Sequence, residues 1–278
     1  MRNAYLMMHP KRDDCKTIAK QIVSLLRADG MTVSTEPWLA DALQGQVAFD
    51  HVASPDFIIA VGGDGTFLTA VQTAIQMNIP VLGVNIGHIG FLIEINLDQL
   101  PAMCKRLIAG EFNIETRMML DVIRKGEVVK TALNDVVISR AGYARLITVK
   151  ASVENDLVAR YMADGLIVST PTGSTGYSLS AGGPIVCPDV DCILLSPICP
   201  HSLQHRPVVA GASQVITVEL DCEPQQQVQL DVDGGMVSKL DTCESITIRR
   251  SEKTAKLIRF GTQSFFHRIR DKLSEWSC

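Results

Sequence analysis

The chain has 278 residues, of which 46 % are hydrophobic and 20 % charged, so it is long enough for two domains of about 150 residues each with sizeable cores. Its net charge of −4 excludes a general attraction to nucleic acid or an anionic membrane, so any phosphate binding has to be local. No apolar run approaches the ~20 residues of a membrane span, and the N-terminal stretch is too short and polar for a signal peptide. We therefore expect a cytoplasmic protein.

Strands and helices alternate over the first 110 residues, which predicts a parallel sheet covered on both faces. Apolar runs predict strands at 4–8, 32–35, 57–61 and 80–84. Helical spacing predicts helices at 11–28, from about 67 to 77, and at 98–109; residues 36–54 give only weak signals. We expect Asp98 to cap the last helix and Gly110 to end it.

Period-two segments replace the helices after Glu111, which predicts an all-β second part, sandwich-like in form. The predicted strands are 118–124, 128–133, 136–139, 147–153, 157–162, 166–169, 214–220, 228–232, 245–249 and 256–260. The predicted fold is thus an α/β N-terminal domain with a doubly wound parallel sheet plus an all-β C-terminal domain. The predicted domains are 1–115, 116–261 and a tail at 262–278 that docks back on the first domain.

In the expected cytoplasmic compartment the eight cysteines should be reduced thiols, and their spacing shows no C-x-x-C pair. A zinc site is conceivable where three cysteines precede two histidines, but prolines interrupt this region and its spacing matches no common zinc pattern. These residues are Cys187, Cys192, Cys199, His201 and His205.

The stretch 57–66 is the most informative part of the sequence. Its apolar strand ends in Gly62-Gly63-Asp64-Gly65-Thr66, and a helical pattern follows. Strand, glycine turn and helix aim backbone N–H groups and a positive helix end at a phosphate. A carboxylate there repels a phosphate, so Asp64 is useful only if it holds a neutralising metal or accepts a proton from an attacking hydroxyl. The turn predicts phosphoryl transfer; the alternative is a tight turn whose glycines only satisfy backbone geometry.

A second unusual stretch, 170–184, is a run of small hydroxyl residues and glycines around one aromatic residue, Tyr177. It offers many hydrogen-bonding groups, and Tyr177 offers a flat surface for a base. The alternative is a Ser/Gly-rich loop with a core tyrosine.

Together these segments resemble the NAD kinase family. The resemblance rests on Gly-Gly-Asp-Gly-Thr at 62–66, Asn-Ile-Gly-His-Ile-Gly-Phe-Leu at 85–92, Asn134-Asp135, Asp164-Gly165 and the run 170–184, in fitting order over about 55–235. It implies transfer of the γ-phosphoryl group of ATP, or of polyphosphate, to the 2′-hydroxyl of the adenosine ribose of NAD, giving NADP. It also implies a divalent metal, Mg²⁺, and a homo-oligomer (dimer or tetramer) with no nucleic-acid or membrane partner.

The resemblance implies roles residue by residue. Asp64 would accept the proton. Asp164 would hold the nicotinamide end, and residues 175–180 would line the adenine and ribose pocket. The implied ligand-binding residues are Gly62, Gly63, Gly65, Thr66, Asn134, Asp135, Arg145, Asp164, Thr175, Gly176, Tyr177, Ser178, Leu179 and Ser180.

Four positions depart from the family pattern. Asp135 replaces the commoner Glu, Gly176 the usual Ala, Met162 a residue that is basic in some members, and Gly235 a Gln ligand of some relatives. These departures bear on affinity and cofactor preference. Two other functions stay open from the residues alone: a lipid kinase with a similar glycine turn, and a non-catalytic dinucleotide-binding regulator.

Overall fold

The structure is a computed structural model that describes residues 2–9, 14–43, 54–87, 90–142, 145–221, 226–262 and 264–275. The chain folds as two compact units: a first unit, Met1–Thr116 with Ala255–Cys278, and a second unit, Arg117–Thr254. Residues 255–261, which the sequence pattern places in the second domain, thus belong to the first unit. None of the helices in the described ranges is long and apolar enough to cross a membrane.

The strands are β1 Asn3–Met8, β2 Thr32–Thr35, β3 Phe57–Gly62, β4 Val81–Asn85, β5 Ile95–Asn96, β6 Asn113–Arg124, β7 Glu127–Ala132, β8 Asp135–Arg140, β9 Ile147–Val153, β10 Asp156–Ala163, β11 Gly165–Ser169, β12 Cys192–Ile198, β13 Val208–Gly211, β14 Ile216–Leu220, β15 Val228–Val232, β16 Gly235–Leu240 and β17 Ser245–Arg259. The α-helices are α1 Cys15–Ala28, α2 Pro37–Ala42, α3 Asp64–Met77, α4 Leu100–Ala109, α5 Tyr177–Ser180 and α6 Phe265–Glu275.

A parallel sheet in the order β2–β1–β3–β4 forms the centre of the first unit. Ile59 and Val61 of β3 join a core with α1 and α4, while Phe67 of α3 packs so closely on the other face that a Cβ at Gly83 would lie 2.9 Å from its ring. Both faces are therefore covered, as the apolar runs predict. β3 and β4 end side by side, with Gly62 paired to Asn85, so both glycine turns begin at the same edge of the sheet.

The chain just before helix α6 is fixed by hydrogen bonds to the carboxylate of Glu94. The buried Glu94 accepts hydrogen bonds from the backbone N–H of Phe260 (3.0 Å) and from the N–H (2.7 Å) and hydroxyl (2.9 Å) of Thr262. Helix α6 follows, with Arg268 and Lys272 buried. Because a buried carboxylate needs hydrogen-bond donors, Glu94 fixes the point from which α6 starts.

The second unit contains only one short α-helix, α5, among its described residues; the rest is antiparallel strands and connections. One sheet has the order β13–β12–β11–β8–β15–β16, and β10, β9, β14 and the start of β17 pair in a second. Side chains of both sheets share one hydrophobic core. This arrangement confirms the predicted fold class.

Several predictions for individual elements differ from the structure. Asp98 does not cap a helix: it lies inside a 3₁₀ turn, Leu97–Gln99, where Asn96 and Gln99 form a capping box, and α4 begins only afterwards. Gly110 does end α4, with φ 77°. The two strands expected at 245–249 and 256–260 are one strand, β17. The sequence pattern does not predict strands β5, β12, β13 and β16 or helices α2 and α5, and positions 11–13 of the predicted first helix lie outside the described residues.

The described cysteines form no disulfide, and Cys222 and Cys278 lie outside the described ranges. Within those ranges no three His, Cys, Asp or Glu side chains come together as a metal site. The free thiols are Cys15, Cys104, Cys187, Cys192, Cys199 and Cys243.

Candidate active site

The turn after β3 presents Asp64 as the first residue of α3. Gly63 precedes the helix, and its carbonyl accepts the N–H of Phe67 at 3.1 Å. Gly62 has to be glycine because a Cβ there would lie 2.5 Å from Oγ1 of Thr66. A carboxylate in the first helical turn also meets the positive end of the helix dipole. The strand and the helix thus hold Asp64 at one end of the sheet.

The loop after β4 closes over the carboxylate of Asp64. Oδ2 accepts the N–H of Phe91 at 3.0 Å and Oδ1 that of Leu92 at 3.4 Å. A Cβ at Gly90 would lie 2.0 Å from Oδ1, so only glycine leaves room for this carboxylate. The second glycine-rich turn therefore leads into the backbone N–H groups that bind the Asp64 carboxylate, and its Gly90 leaves room for that carboxylate. His88 and Ile89 of that turn lie outside the described residues.

Opposing effects set the proton affinity of Asp64. Burial raises the pKa of its carboxyl above the ordinary value, and the two backbone hydrogen bonds, then the positive charges of Lys272 and Arg259, act to lower it. The net direction is upward. A carboxylate with a raised pKa is a stronger proton acceptor, provided that it remains ionised at the working pH.

A second carboxylate site lies in the second unit, where Asn134 and Asp135 begin β8. The carboxylate of Asp233 accepts the N–H groups of Leu133 (2.9 Å), Asn134 (2.7 Å) and Asp135 (3.2 Å). Asp233 itself has φ 51°, a left-handed conformation that aspartate tolerates in turns. It thereby fixes the backbone that carries the predicted pair.

Asn134 and Asp135 each carry a group whose environment favours a ligand. Oδ1 of Asn134 is buried and has no hydrogen-bond partner among the described residues. Burial and the neighbouring charge of Asp233 raise the pKa of Asp135 to about 7. Native structures rarely leave such groups unsatisfied, so this corner suits a polar ligand that donates to Asn134.

The segment after β11 packs tightly onto this corner. Thr170 donates its hydroxyl to the carbonyl of Leu133 (2.6 Å), and a Cβ at Gly173 would lie 2.2 Å from the carbonyl of Asn134. A Cβ at Gly176 would be 3.7 Å from Oδ2 of Asp135, so an alanine there would still fit. Close backbone approach thus requires glycine at 173, and it brings 175–180 beside Asn134 and Asp135.

Tyr177 lies close to the other predicted binding residues of this unit. Burial, and then the charges of Cys199, Asp164 and Asp135, raise the pKa of its phenol. The residue is 46 % exposed, which leaves part of it accessible to a ligand. Ser178 is buried and bonded to Ser196 at 2.9 Å, which gives it a structural role as well. Leu179 is half-buried and Ser180 exposed.

Asp164 is paired with a residue that the sequence pattern does not single out. Nε of Arg140 contacts Oδ1 of Asp164 at 2.6 Å. Arg145 lines a different feature, a cavity of about 760 Å³ together with Met162, His201 and others. The described residues that line this cavity include no member of 175–180. The structure therefore brings Gly176 beside Asn134 and Asp135, pairs Asp164 with Arg140, and leaves Arg145 with the cavity.

Other site residues were not predicted from the sequence. Gly90, Asp233 and Arg259 act on the predicted residues from distant parts of the chain, and Lys272 acts from α6. A signal existed for Asp233, since an acid directly before Gly234-Gly235 is typical of a tight turn. No local pattern marks Arg259 or Lys272.

The fold and the Asp64 turn fit a phosphotransferase, and the comparisons with known proteins assign this class. The ATP-NAD kinase N-terminal domain model matches residues 5–112, and the ATP-NAD kinase C-terminal domain model matches 133–260. A NAD kinase of Geobacter sp. (strain M21) is 41 % identical over 92 % of each chain, and one of Caldanaerobacter subterraneus subsp. tengcongensis is 38 % identical over 99 % of this chain and 100 % of its own. The chain therefore belongs to the NAD kinase family.

Solved structures agree with this assignment. A yeast NADH kinase complexed with NADH superposes with a TM-score of 0.83 at 25 % identity, over 97 % of this chain and 86 % of that one. An NAD kinase from Archaeoglobus fulgidus in complex with ATP has a TM-score of 0.76 at 26 % identity, over 99 % of each chain. The predicted family and enzyme class are confirmed, and the roles of the individual site residues stay predictions.

Replacing Asp135 by Asn should stabilise the protein at high pH. The folded-state pKa of about 7 exceeds the ordinary value of 3.8, so ionisation opposes folding increasingly between about pH 4 and 7 and fully above pH 7. Asn cannot ionise, so Asp135→Asn should raise the free energy of unfolding at pH 8.5 by on the order of a few kcal/mol. The gain should fade toward pH 4, as measured by urea unfolding without ligands.

The exposed Asp156 provides the matched control, because Asp156→Asn removes a carboxylate without a buried charge. It should leave stability nearly unchanged at both pH values. A loss of stability in Asp135→Asn at pH 8.5 would contradict a penalty for the charged form.

Proposed function

We propose that the protein transfers the γ-phosphoryl group of ATP to the 2′-hydroxyl of the adenosine ribose of NAD, giving NADP. Family membership and the relatives named NAD kinase support the reaction. Support for the two substrates comes from the similar structures, one described with ATP and the other with NADH. Polyphosphate is a second candidate donor, and a donor assay decides between the two.

The single observation that carries the mechanism is the way in which the loop after β4 binds the Asp64 carboxylate. Two backbone N–H groups hold its carboxylate in one orientation, and the absence of a side chain at Gly90 leaves the space that the carboxylate occupies. A ribose hydroxyl is a poor nucleophile until a base takes its proton, and a positioned carboxylate contributes about 10²- to 10⁴-fold to such a step. In the proposed reaction Asp64 accepts the 2′-hydroxyl proton as the oxygen attacks the γ-phosphorus, and the bond from that phosphorus to the β–γ bridging oxygen breaks to release ADP.

The proposed dinucleotide contacts follow from the polar corner of the second unit. The unpartnered Oδ1 of Asn134 suits an amino or hydroxyl donor, and Asp135, near half-protonation at neutral pH, either accepts or donates a hydrogen bond. The exposed ring of Tyr177 suits stacking on a base. We assign Asp164 and residues 175–180 to the same ligand, and the glycines of the Asp64 turn with Thr66 to phosphate.

The metal is proposed to enter with the donor nucleotide. The described residues bring no three His, Cys, Asp or Glu side chains together, so they do not fit a metal held by the protein alone. Mg²⁺ commonly keeps several waters and binds through substrate phosphates with one or two carboxylates.

The other two functions are less well supported. Both family models that match are those of ATP-NAD kinase, which does not favour a lipid kinase. A non-catalytic regulator would gain nothing from Asp64, since a carboxylate buried at a phosphate-binding turn weakens binding unless it takes part in the reaction.

Replacing Asp64 by Asn should reduce kcat for NADP formation by at least about 100-fold, because the amide cannot accept the proton. Binding of NAD, measured by calorimetry, should stay within a few-fold of that of the unaltered protein, since Asn keeps the shape of the side chain. A turnover rate close to that of the unaltered protein would remove Asp64 from the mechanism.

Asp98→Asn is the matched control for charge. Asp98 is exposed and lies in the 3₁₀ turn before α4. This variant should form NADP at the normal rate. Assaying NAD, NADH and a diacylglycerol side by side with the same preparation also tests the lipid-kinase alternative.

Removal of divalent metal should stop turnover without lowering the thermal stability of the protein. Because the metal is proposed to arrive with ATP, chelation by EDTA should abolish NADP formation and leave the melting temperature of the nucleotide-free protein unchanged. Added Mg²⁺ should restore activity. A clear drop in melting temperature on chelation would point instead to a metal held by the protein itself.

The protein is also proposed to form a homo-oligomer, as the family resemblance implies. Exposed apolar side chains on the second unit, among them Leu157 (63 %) and Leu203 (88 %), are consistent with a contact surface. Light scattering at micromolar concentration should give the mass of a dimer or tetramer. A mass near 30.3 kDa at every concentration would refute this prediction.

A further inference from the structure

Arg259, at the end of β17, is a buried cation whose guanidinium makes two directed contacts. The residue is 8 % exposed. Its Nε donates to Oε2 of Glu115 at 2.6 Å, and its Nη1 donates to the carbonyl of Leu92 at 2.8 Å. A guanidinium is planar and presents its donors in a fixed fork, so a contact at one nitrogen sets the direction of the others. Glu115 therefore aims Arg259 at Leu92.

Leu92 is held on both sides of its backbone. Its carbonyl accepts the hydrogen bond from Arg259, and its N–H is donated to Oδ1 of Asp64 at 3.4 Å. The preceding N–H, that of Phe91, is donated to Oδ2 of the same carboxylate at 3.0 Å. A backbone bonded on one side only could turn about its two soft dihedral angles and move away from the carboxylate. An unbroken series of polar contacts thus runs from Glu115 to Asp64.

The same part of the chain holds this loop at a second point. The carboxylate of Glu94, two residues beyond Leu92, accepts the N–H groups of Phe260 at 3.0 Å and Thr262 at 2.7 Å. A side chain of each segment therefore meets the backbone of the other. Glu94 and Phe260 are 166 positions apart in the chain, so these contacts depend on the fold. The end of β17 thus fixes the loop that binds Asp64.

Arg259 occupies its place at a cost to stability. Its Nη2 is buried and has no hydrogen-bond partner among the described residues. A buried donor without a partner costs free energy, and an apolar side chain of similar volume would avoid that cost. The presence of an arginine is therefore explained by what its other two nitrogens hold, and not by packing.

We propose that Arg259 is a positioning residue, which keeps the carboxylate of Asp64 in its proton-accepting orientation by fixing the backbone of Leu92. The inference rests on the proposed role of Asp64 as proton acceptor. Arg259 acts through the loop and does not have to touch either substrate. A carboxylate that is free to turn is less often aligned with the hydroxyl, and small displacements of a catalytic group cost much of the rate.

The direct test is hydrogen exchange at the two amide groups that bind Asp64, and it needs no substrate. In protein labelled with ¹⁵N at phenylalanine and leucine, Phe91→Tyr and Leu92→Ile identify the two signals. Arg259→Met removes the guanidinium and keeps an apolar stem. We expect it to speed exchange at both amides by at least about tenfold, because their local structure opens more easily. The amide of Leu82, within the pairing of β3 and β4, should stay protected.

The second readout compares kcat with and without Asp64. Arg259→Met should lower kcat for NADP formation about tenfold and leave KM for ATP and NAD within about twofold. In the Asp64→Asn background the same change should have almost no effect on kcat, since a base that is absent cannot be misplaced. Arg259→Lys keeps the charge but loses the fork, so it should recover little of the rate.

Arg250→Met is the matched control. Arg250 lies on the same strand and forms an exposed ion pair with Asp191 at 3.0 Å, so its loss should change neither readout. Glu115→Ala provides a second variant if Arg259→Met does not fold. It releases Nε of Arg259 and should change exchange and kcat in the same direction.

Unchanged exchange at Phe91 and Leu92 in the Arg259→Met and Glu115→Ala variants would overturn the inference. An equal loss of kcat with and without Asp64 would also overturn it, as would a raised KM for ATP at unchanged kcat, which would make Arg259 a phosphate contact. Full recovery in Arg259→Lys would mean that charge alone matters. If the unaltered protein makes no NADP, the kinase assignment fails, while the exchange rates still decide whether Arg259 fixes the backbone at Asp64.

Discussion

The candidate site of the first unit depends on keeping the carboxylate of Asp64 negatively charged although it is largely buried. Burial of Asp64 favours its neutral form, and several features of the described residues act against this: the start of α3, the N–H groups of Phe91 and Leu92, and the cations Lys272 and Arg259. These features come from segments far apart in sequence. An arrangement of this kind has little value for packing alone, because an apolar residue at position 64 would need none of it. It is understandable if the carboxylate takes part in chemistry.

Asp135, in the second unit, has a raised pKa like that of Asp64, but the causes differ. Burial and the like charge of Asp233 act in the same direction on Asp135, so its pKa rises to about 7. Asp233 is nevertheless required, since it bonds to three consecutive backbone N–H groups of the turn that carries Asn134 and Asp135. The backbone geometry at Asn134 and Asp135 is thus obtained at an electrostatic cost. Two carboxyl groups with different surroundings suit different roles, one as proton acceptor and the other as an adaptable hydrogen-bonding group.

The sequence predicts the parts of this arrangement that are local. An apolar run followed by glycines is a complete signal for a strand and a turn, and so Asp64 could be found. It does not predict that Gly90 makes room for the Asp64 carboxylate, because that contact depends on the pairing of β3 with β4. The sequence pattern predicts two strands in place of β17, because the middle of this segment is polar. In the structure it is one strand, and the exposed residues of its middle part are charged. Pairing with neighbouring strands overrides such local preferences.

The tail shows that the burial of a helix can depend on charge as well as on hydrophobic pattern. Arg268 and Lys272 of α6 are buried, whereas Phe265 and Ile269 are half-buried and Phe266 is exposed. Burial lowers the pKa of Arg268, and the charges of Glu115 and Glu94 act to raise it, so carboxylates compensate part of the cost of burying this cation. A helix bound through charges is held less firmly by apolar burial, so its attachment depends on Glu94, which anchors the chain just before it. The position of α6 therefore follows from the hydrogen bonds that Glu94 accepts from Phe260 and Thr262 as well as from the burial of its two cations.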